Sequence, residues 1–260
     1  MLVKFLKLFG SGVILATAFV HMLVPSAEML SNPCLPQVFR DYQFTGVFVM
    51  TGIFLTHAVQ LAAAGAFESS RKENSEDNTL SHGHECSDDI EDHNHGMLFL
   101  RKEKQLTAFL LELGVVSHSV IVGITLGVST DEFKSLFIAL SFHQFFEGVA
   151  LSAVVVEAGF DRIVVKVLMV AFYTLTTPIG IAVGMGIRES FHTSSTASLL
   201  TQGILDAVSS GILMYDALVN VILPHFKDIQ FHRGNLRIKL CQLLAMYLGA
   251  TCMSLIGYWL

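Results

Sequence analysis

Ser141-Phe142-His143-Gln144-Phe145-Phe146-Glu147-Gly148-Val149-Ala150-Leu151-Ser152-Ala153-Val154-Val155-Val156 is an apolar run broken by one imidazole and one carboxylate a helical turn apart. Extended back to Ser135, it reaches the roughly 20 residues that a helix needs to cross a bilayer core of about 30 Å. Reading outward from it gives six further runs of the same kind: Phe5 to Leu30, Phe44 to Phe67, Leu106 to Val128, Ile163 to Ile187, Leu199 to Leu223 and Leu240 to Leu260. With 260 residues, 52% hydrophobic and 15% charged, and a mean hydropathy of +0.59, the chain is too apolar for an ordinary soluble domain. The expected fold class is all-α, a polytopic membrane helical bundle with about seven transmembrane helices. Residues 1–67 should hold the first two, 68–104 a His-rich mobile cytoplasmic loop, and 105–260 the remaining five.

Cationic loops resist translocation, so the distribution of Lys and Arg predicts orientation. If the N-terminus is cytoplasmic, thirteen of the Lys and Arg residues fall on that side, and only Arg40, Lys134 and Arg188 on the other. The C-terminus is then outside. Lys4 and Lys7 ahead of Ala16-Thr17-Ala18 resemble a cleavable leader, but the apolar run continues through Val24, and an uncut helix is the simpler expectation. Most of the formal charge of −6 comes from residues 68–104, and no basic patch suits nucleic acid. Cys34, Cys86, Cys241 and Cys252 form no CxxC pair, so neither a disulfide framework nor a cysteine zinc site is expected.

The polar stretch carries His82-Gly83-His84 and His93-Asn94-His95, two HxH pairs beside Cys86 and several carboxylates. Neutral imidazoles on a flexible segment can gather around zinc, nickel or copper, which makes His82, His84, His93 and His95 candidate loop ligands, as a buffer or sensor. A His-rich solvated linker is the other reading.

Within the apolar runs, a charged side chain costs at least about 2.5–3.5 kcal/mol and usually marks a functional cavity. His143 and Glu147 stand at i and i+4, stacked on one helix face, and His118 lies mid-helix in the preceding run. Together they offer a mixed nitrogen and oxygen set suited to zinc or ferrous iron, and the cation would offset the desolvation of Glu147. Gly123, Gly127 and Gly148 are expected to let these two neighbouring helices approach closely. His21 and Glu28 share a face of the first run, with Glu28 near the outer surface as an entrance for cations. Asp206, with Gln202, Asp216, Asn220 and His57, either lines a pathway or bonds across helices.

At these residues the chain resembles the ZIP (Zrt/Irt-like) zinc and iron transporters, in particular their plant and fungal branch. His118-Ser119 with Gly123 is similar to the family's fourth-helix signature, and His143-Gln144-Phe145-Phe146-Glu147-Gly148 to its fifth. Gly12 through Thr17 with His21, Thr177-Pro178-Ile179-Gly180, Gly203 through Asp206 and Met253-Ser254-Leu255 extend the likeness over nearly the whole chain. The resemblance implies a carrier moving metal into the cytoplasm, with His118, His143 and Glu147 as ligands and Ser119 and Gln144 as nearby members of the site. It also implies eight helices, of which this chain lacks the first. Places where some members hold extra carboxylates for a second ion are Val122 and Thr177 here, which favours one ion per site.

Transport of Zn2+, or of Fe2+, Mn2+ or Cd2+, is thus the expected function, with no prosthetic group. The expected partners are the ion, the bilayer (that of the plasma membrane) and a second copy in a homodimer. A membrane-embedded zinc hydrolase would use similar ligands, but no HExxH-type sequence supports it. A truncated family member acting as a regulatory subunit would bind metal without moving it.

Overall fold

The computed structural model describes residues 2–79, 88–129, 133–187 and 195–257. Among the described residues, seven helices are long and apolar enough to cross a membrane: Lys4–Leu30, Thr45–Ala66, Leu100–Val128, Leu136–Glu157, Ile163–Ile187, Thr196–Lys227 and Leu236–Ile256. They are the first to seventh spans below, and each overlaps one run expected from the sequence. Short helices, Gln37–Asp41 and Ile229–Arg233, lie in the connections.

The expectation of a loop over 68–104 is corrected in part. The second span belongs to a helix that runs Thr45–Thr79, and the third to one that runs Asp88–Val128. Both expected boundaries, after residue 67 and after residue 104, therefore fall inside continuous helix. Extending a helix that the membrane has already nucleated fixes one residue per added hydrogen bond, and neither extension holds a proline. His82, His84 and Cys86 lie outside the described residues. His93 and His95 fall on the helical extension ahead of the third span.

Glycines decide which spans pair. The first span packs on the seventh where Gly12 faces the Met246 carbonyl and Gly249 the Phe9 carbonyl, and the second on the sixth where Gly52 and Gly211 meet. The third packs on the fifth, with Gly123 against Gly180 and Gly127 against Gly184. This corrects the expectation that Gly123 and Gly127 bring the third span to the fourth. A Cβ at Gly123 would stand 2.7 Å from the Thr177 carbonyl oxygen, so it is the backbone of the fifth span that comes close. Gly148 faces the Tyr173 ring of the same span. Where lipid supplies no hydrophobic drive between helices, such small-residue faces supply close van der Waals packing instead.

The fourth span packs chiefly on the first and third and touches the fifth little. Its Ala150 and Val154 join Val13, Ile14 and Met22 of the first span, Leu111 and Val115 of the third, Leu213 of the sixth and Met253 of the seventh in one buried cluster.

Two spans widen locally into π-helical turns, over Thr17–Leu23 and Asp216–Ile222. Each ends just before a proline, Pro25 or Pro224. Proline lacks the N–H that would bond the carbonyl four residues back and clashes with it, and a wider turn accommodates both defects. The residues four back are His21 and Asn220, so each wide turn presents a polar side chain.

At the end of the bundle where the first span begins, Lys7 Nζ stands 2.7 Å from Glu157 Oε2, and Lys104 Nζ 3.2 Å from Oε1. Gly159 ends the fourth helix at φ +62°, the left-handed conformation that glycine adopts freely. Its carbonyl accepts from Arg101 Nε at 2.9 Å. Arg101 also bonds Asp161, which holds that exposed carboxyl below the usual carboxylate range.

Candidate metal-binding site

Two spans and the wide turn of a third bring four side chains together in the bundle. His118 comes from the third span, His143 and Glu147 from the fourth, and His21 from the π-helical turn of the first. His143 is central, its ring centroid 5.0 Å from that of His21 and 5.6 Å from that of His118. All four are buried, His143 and Glu147 to 1% exposure.

The hydrogen bonds of these groups are asymmetric. His118 Nδ1 lies 3.2 Å from Asp206 Oδ1. An ionised carboxylate can only accept, so the ring donates there and Nε2 is left with no partner in the protein. His21 Nε2 donates to the Met253 carbonyl at 2.9 Å, in the space that Gly257 leaves by having no side chain. His143 Nε2 and Glu147 Oε1 are 3.3 Å apart but do not have hydrogen-bond geometry. Both ring nitrogens of His143 and both oxygens of Glu147 are unpartnered. Five buried polar atoms on three side chains therefore lack partners within the protein. Among the described residues, no three His, Cys, Asp or Glu side chains are yet disposed as a finished metal cage.

A cavity of about 200 Å³ opens beside the cluster, lined by His21, His118, His143, Asp206 and Gln202, and by Val20, Pro25 and Met29 of the first span. It reaches the half of the bundle in which the first span ends. Glu28, expected at the entrance, is exposed on the last turn of that span and does not line the cavity.

Ser119 and Gln144 are turned elsewhere, since neighbours on a helix point about 100° apart. Gln144 Nε2 donates to the Thr177 hydroxyl, Ser119 Oγ lies 3.5 Å from the Gln144 side chain, and the Tyr173 hydroxyl donates to the Gln144 carbonyl at 2.5 Å. They form a second polar cluster, against the fifth span.

The sequence pairs His143 with Glu147 by register, but it carries no signal that Asp206 faces His118, or that Tyr173 and Thr177 hold Gln144. Glu112, which belongs to no motif, is buried in the third span with Oε1 unpartnered. Asp216 is fully buried, with one oxygen accepting from Asn220 Nδ2 at 2.6 Å and the other free of partners. His57, exposed on the second span, meets the Tyr215 hydroxyl at 2.8 Å.

Known proteins resemble the chain over nearly its whole length. The chain is 39% identical to Zinc transporter 3 of Arabidopsis thaliana, over 97% of this chain and 73% of that protein. It is 35% identical to Zinc transporter 9 of Oryza sativa subsp. japonica, over 98% and 78%. Fe(2+) transport protein 1 of Arabidopsis thaliana is 34% identical over 98% and 74%. No solved structure gives a significant match. These relatives are named as transporters rather than enzymes, which removes the hydrolase alternative. Seven apolar spans enclose buried histidines and a carboxylate, and the ZIP zinc transporter family matches over residues 1–257, so the chain is a metal transporter belonging to that family.

Proposed function

We propose that the chain carries zinc, or ferrous iron, towards the cytoplasm, and that His118, His143 and Glu147 are the ligands, with His21 beside them. The five unpartnered polar atoms carry this reading. At roughly 1–3 kcal/mol for each buried group left unsatisfied, the three side chains that carry them would cost on the order of 3–9 kcal/mol, comparable with the whole stability of a typical domain. A divalent cation taking lone pairs from two imidazoles and a carboxylate offsets that cost, and such a ligand set suits zinc and ferrous iron.

The direction rests on the distribution of charge. Lys and Arg predominate on the side where the first span begins, which is the side that stays in the cytoplasm. The cavity beside His118 and His143 opens towards the other side, and the Lys7, Glu157 and Lys104 ion pairs tie three spans together at the cytoplasmic end. An ion arriving from outside meets the histidines first. Helix movement that separates Glu157 from its lysines would then open the way in. The plasma membrane is the proposed location, with the C-terminus outside.

Uptake of labelled zinc and of labelled ferrous iron into metal-starved cells producing the chain tests the reading. Glu147→Ala should lower uptake at least about tenfold, by removing a ligand to the ion. Undiminished uptake by Glu147→Ala would exclude Glu147 from the path.

A further inference from the structure

The geometry points to Asp206 as a positioning residue: it holds His118 as the Nδ1–H form and turns Nε2 to the metal, without binding the ion itself. This inference rests on His118 being a ligand.

Asp206 and His118 are both almost wholly buried, at 3% exposure each. Their 3.2 Å contact joins the sixth span to the third. With the proton on Nε2 instead, the Nδ1 lone pair would face a carboxylate oxygen at that distance, a repulsive contact in a low-dielectric interior. The carboxylate therefore selects one tautomer, and the nitrogen left bare is the one without a partner in the protein. A carboxylate bonded to the far nitrogen of an imidazole ligand fixes the ring's orientation and raises its basicity. The sixth span is a firm base for such a partner. It packs along the first and second spans, and it meets the third where Gly114 lies against the Leu213 side chain.

An acid in a metal path offers a plain alternative, in which Asp206 binds the ion directly. The two roles separate in zinc affinity, measured by competition with a chelating dye on the purified chain in detergent. Asp206→Leu keeps a similar volume but has no acceptor, and should raise the Kd for zinc by about 10–100-fold. Asp206→Asn keeps an acceptor for Nδ1–H and should retain most of the affinity, within about threefold of the parent. In a His118→Ala background, Asp206→Leu should add little, because its effect passes through a ring that is no longer there.

Asp206→Asn as damaging as Asp206→Leu would overturn the inference in favour of a direct ligand. So would full additivity with His118→Ala, or unchanged affinity in Asp206→Leu. If Asp206→Leu cannot be purified folded, Asp206→Ala, which also lacks an acceptor, takes its place with the same expected and overturning results. A parent chain that binds no zinc, or a His118→Ala chain that binds it as tightly as the parent, removes the ligand role of His118 and the inference with it. Metal binding without uptake counts against the proposed function alone.

Discussion

His143 touches the rings of both His21 and His118 and stands one helical turn from Glu147, so its loss should be felt more than that of any other histidine. His143→Ala is expected to weaken zinc binding by about 100-fold, at the upper end for a residue at a metal site, and His21→Ala by about tenfold. Direct titration of the purified variants checks the order, and equal losses would show that His21 is a full ligand. Ser119 and Gln144 make their hydrogen bonds towards the fifth span. Ser119→Ala should therefore change zinc affinity by less than about threefold, as expected for a site outside the ligand contacts. A change as large as that of His118→Ala would join the two polar clusters into one site.

At the scale of the helices, the contacts between glycines set the spacing of the whole bundle. Gly123→Ala gains roughly 1 kcal/mol in helix propensity, but its methyl meets the backbone of the fifth span at 2.7 Å and neither helix can yield cheaply. A net loss of about 1–3 kcal/mol is expected, seen as a lower thermal midpoint in detergent. Gly46→Ala is the control, since nothing lies within 4 Å of a Cβ there, and it should be neutral or mildly stabilising. The wide turn before Pro25 belongs to the same scale. Pro25→Ala restores the missing N–H, favours a regular helix and should draw His21 out of register with the Met253 carbonyl, weakening zinc binding while leaving the fold intact.

For the molecule as a whole, the Lys7 and Lys104 contacts to Glu157 bind the first, third and fourth spans at one end. Glu157→Gln removes the charge that both lysines answer and should destabilise the chain by about 1.5–3 kcal/mol, less any solvent screening of the more exposed Lys104. If those contacts also close that end of the bundle, the variant should release bound metal faster, which stopped-flow chelation in liposomes would register. Orientation is checked by Cys34, a free and exposed cysteine between the first and second spans. An impermeant maleimide should label it in intact cells, and Cys34→Ser should abolish that signal. Labelling only after permeabilisation would reverse the topology.

The seven spans were legible in the sequence because crossing a bilayer is a local requirement of length and hydropathy, met or missed within some 20 residues. The pair His143 and Glu147 was legible for a similar reason, since helical register fixes which neighbours share a face. Residues 68–79 and 88–104 were read as loop because their polarity rules out a buried core. Polarity alone does not prevent a helix begun in the membrane from continuing into water. The partners of the glycines, the meeting of His21 with His143 and the bond from His118 to Asp206 were decided only by the tertiary structure. They join residues 25 or more positions apart in the chain, and no periodicity within one helix says which other helix will lie against it.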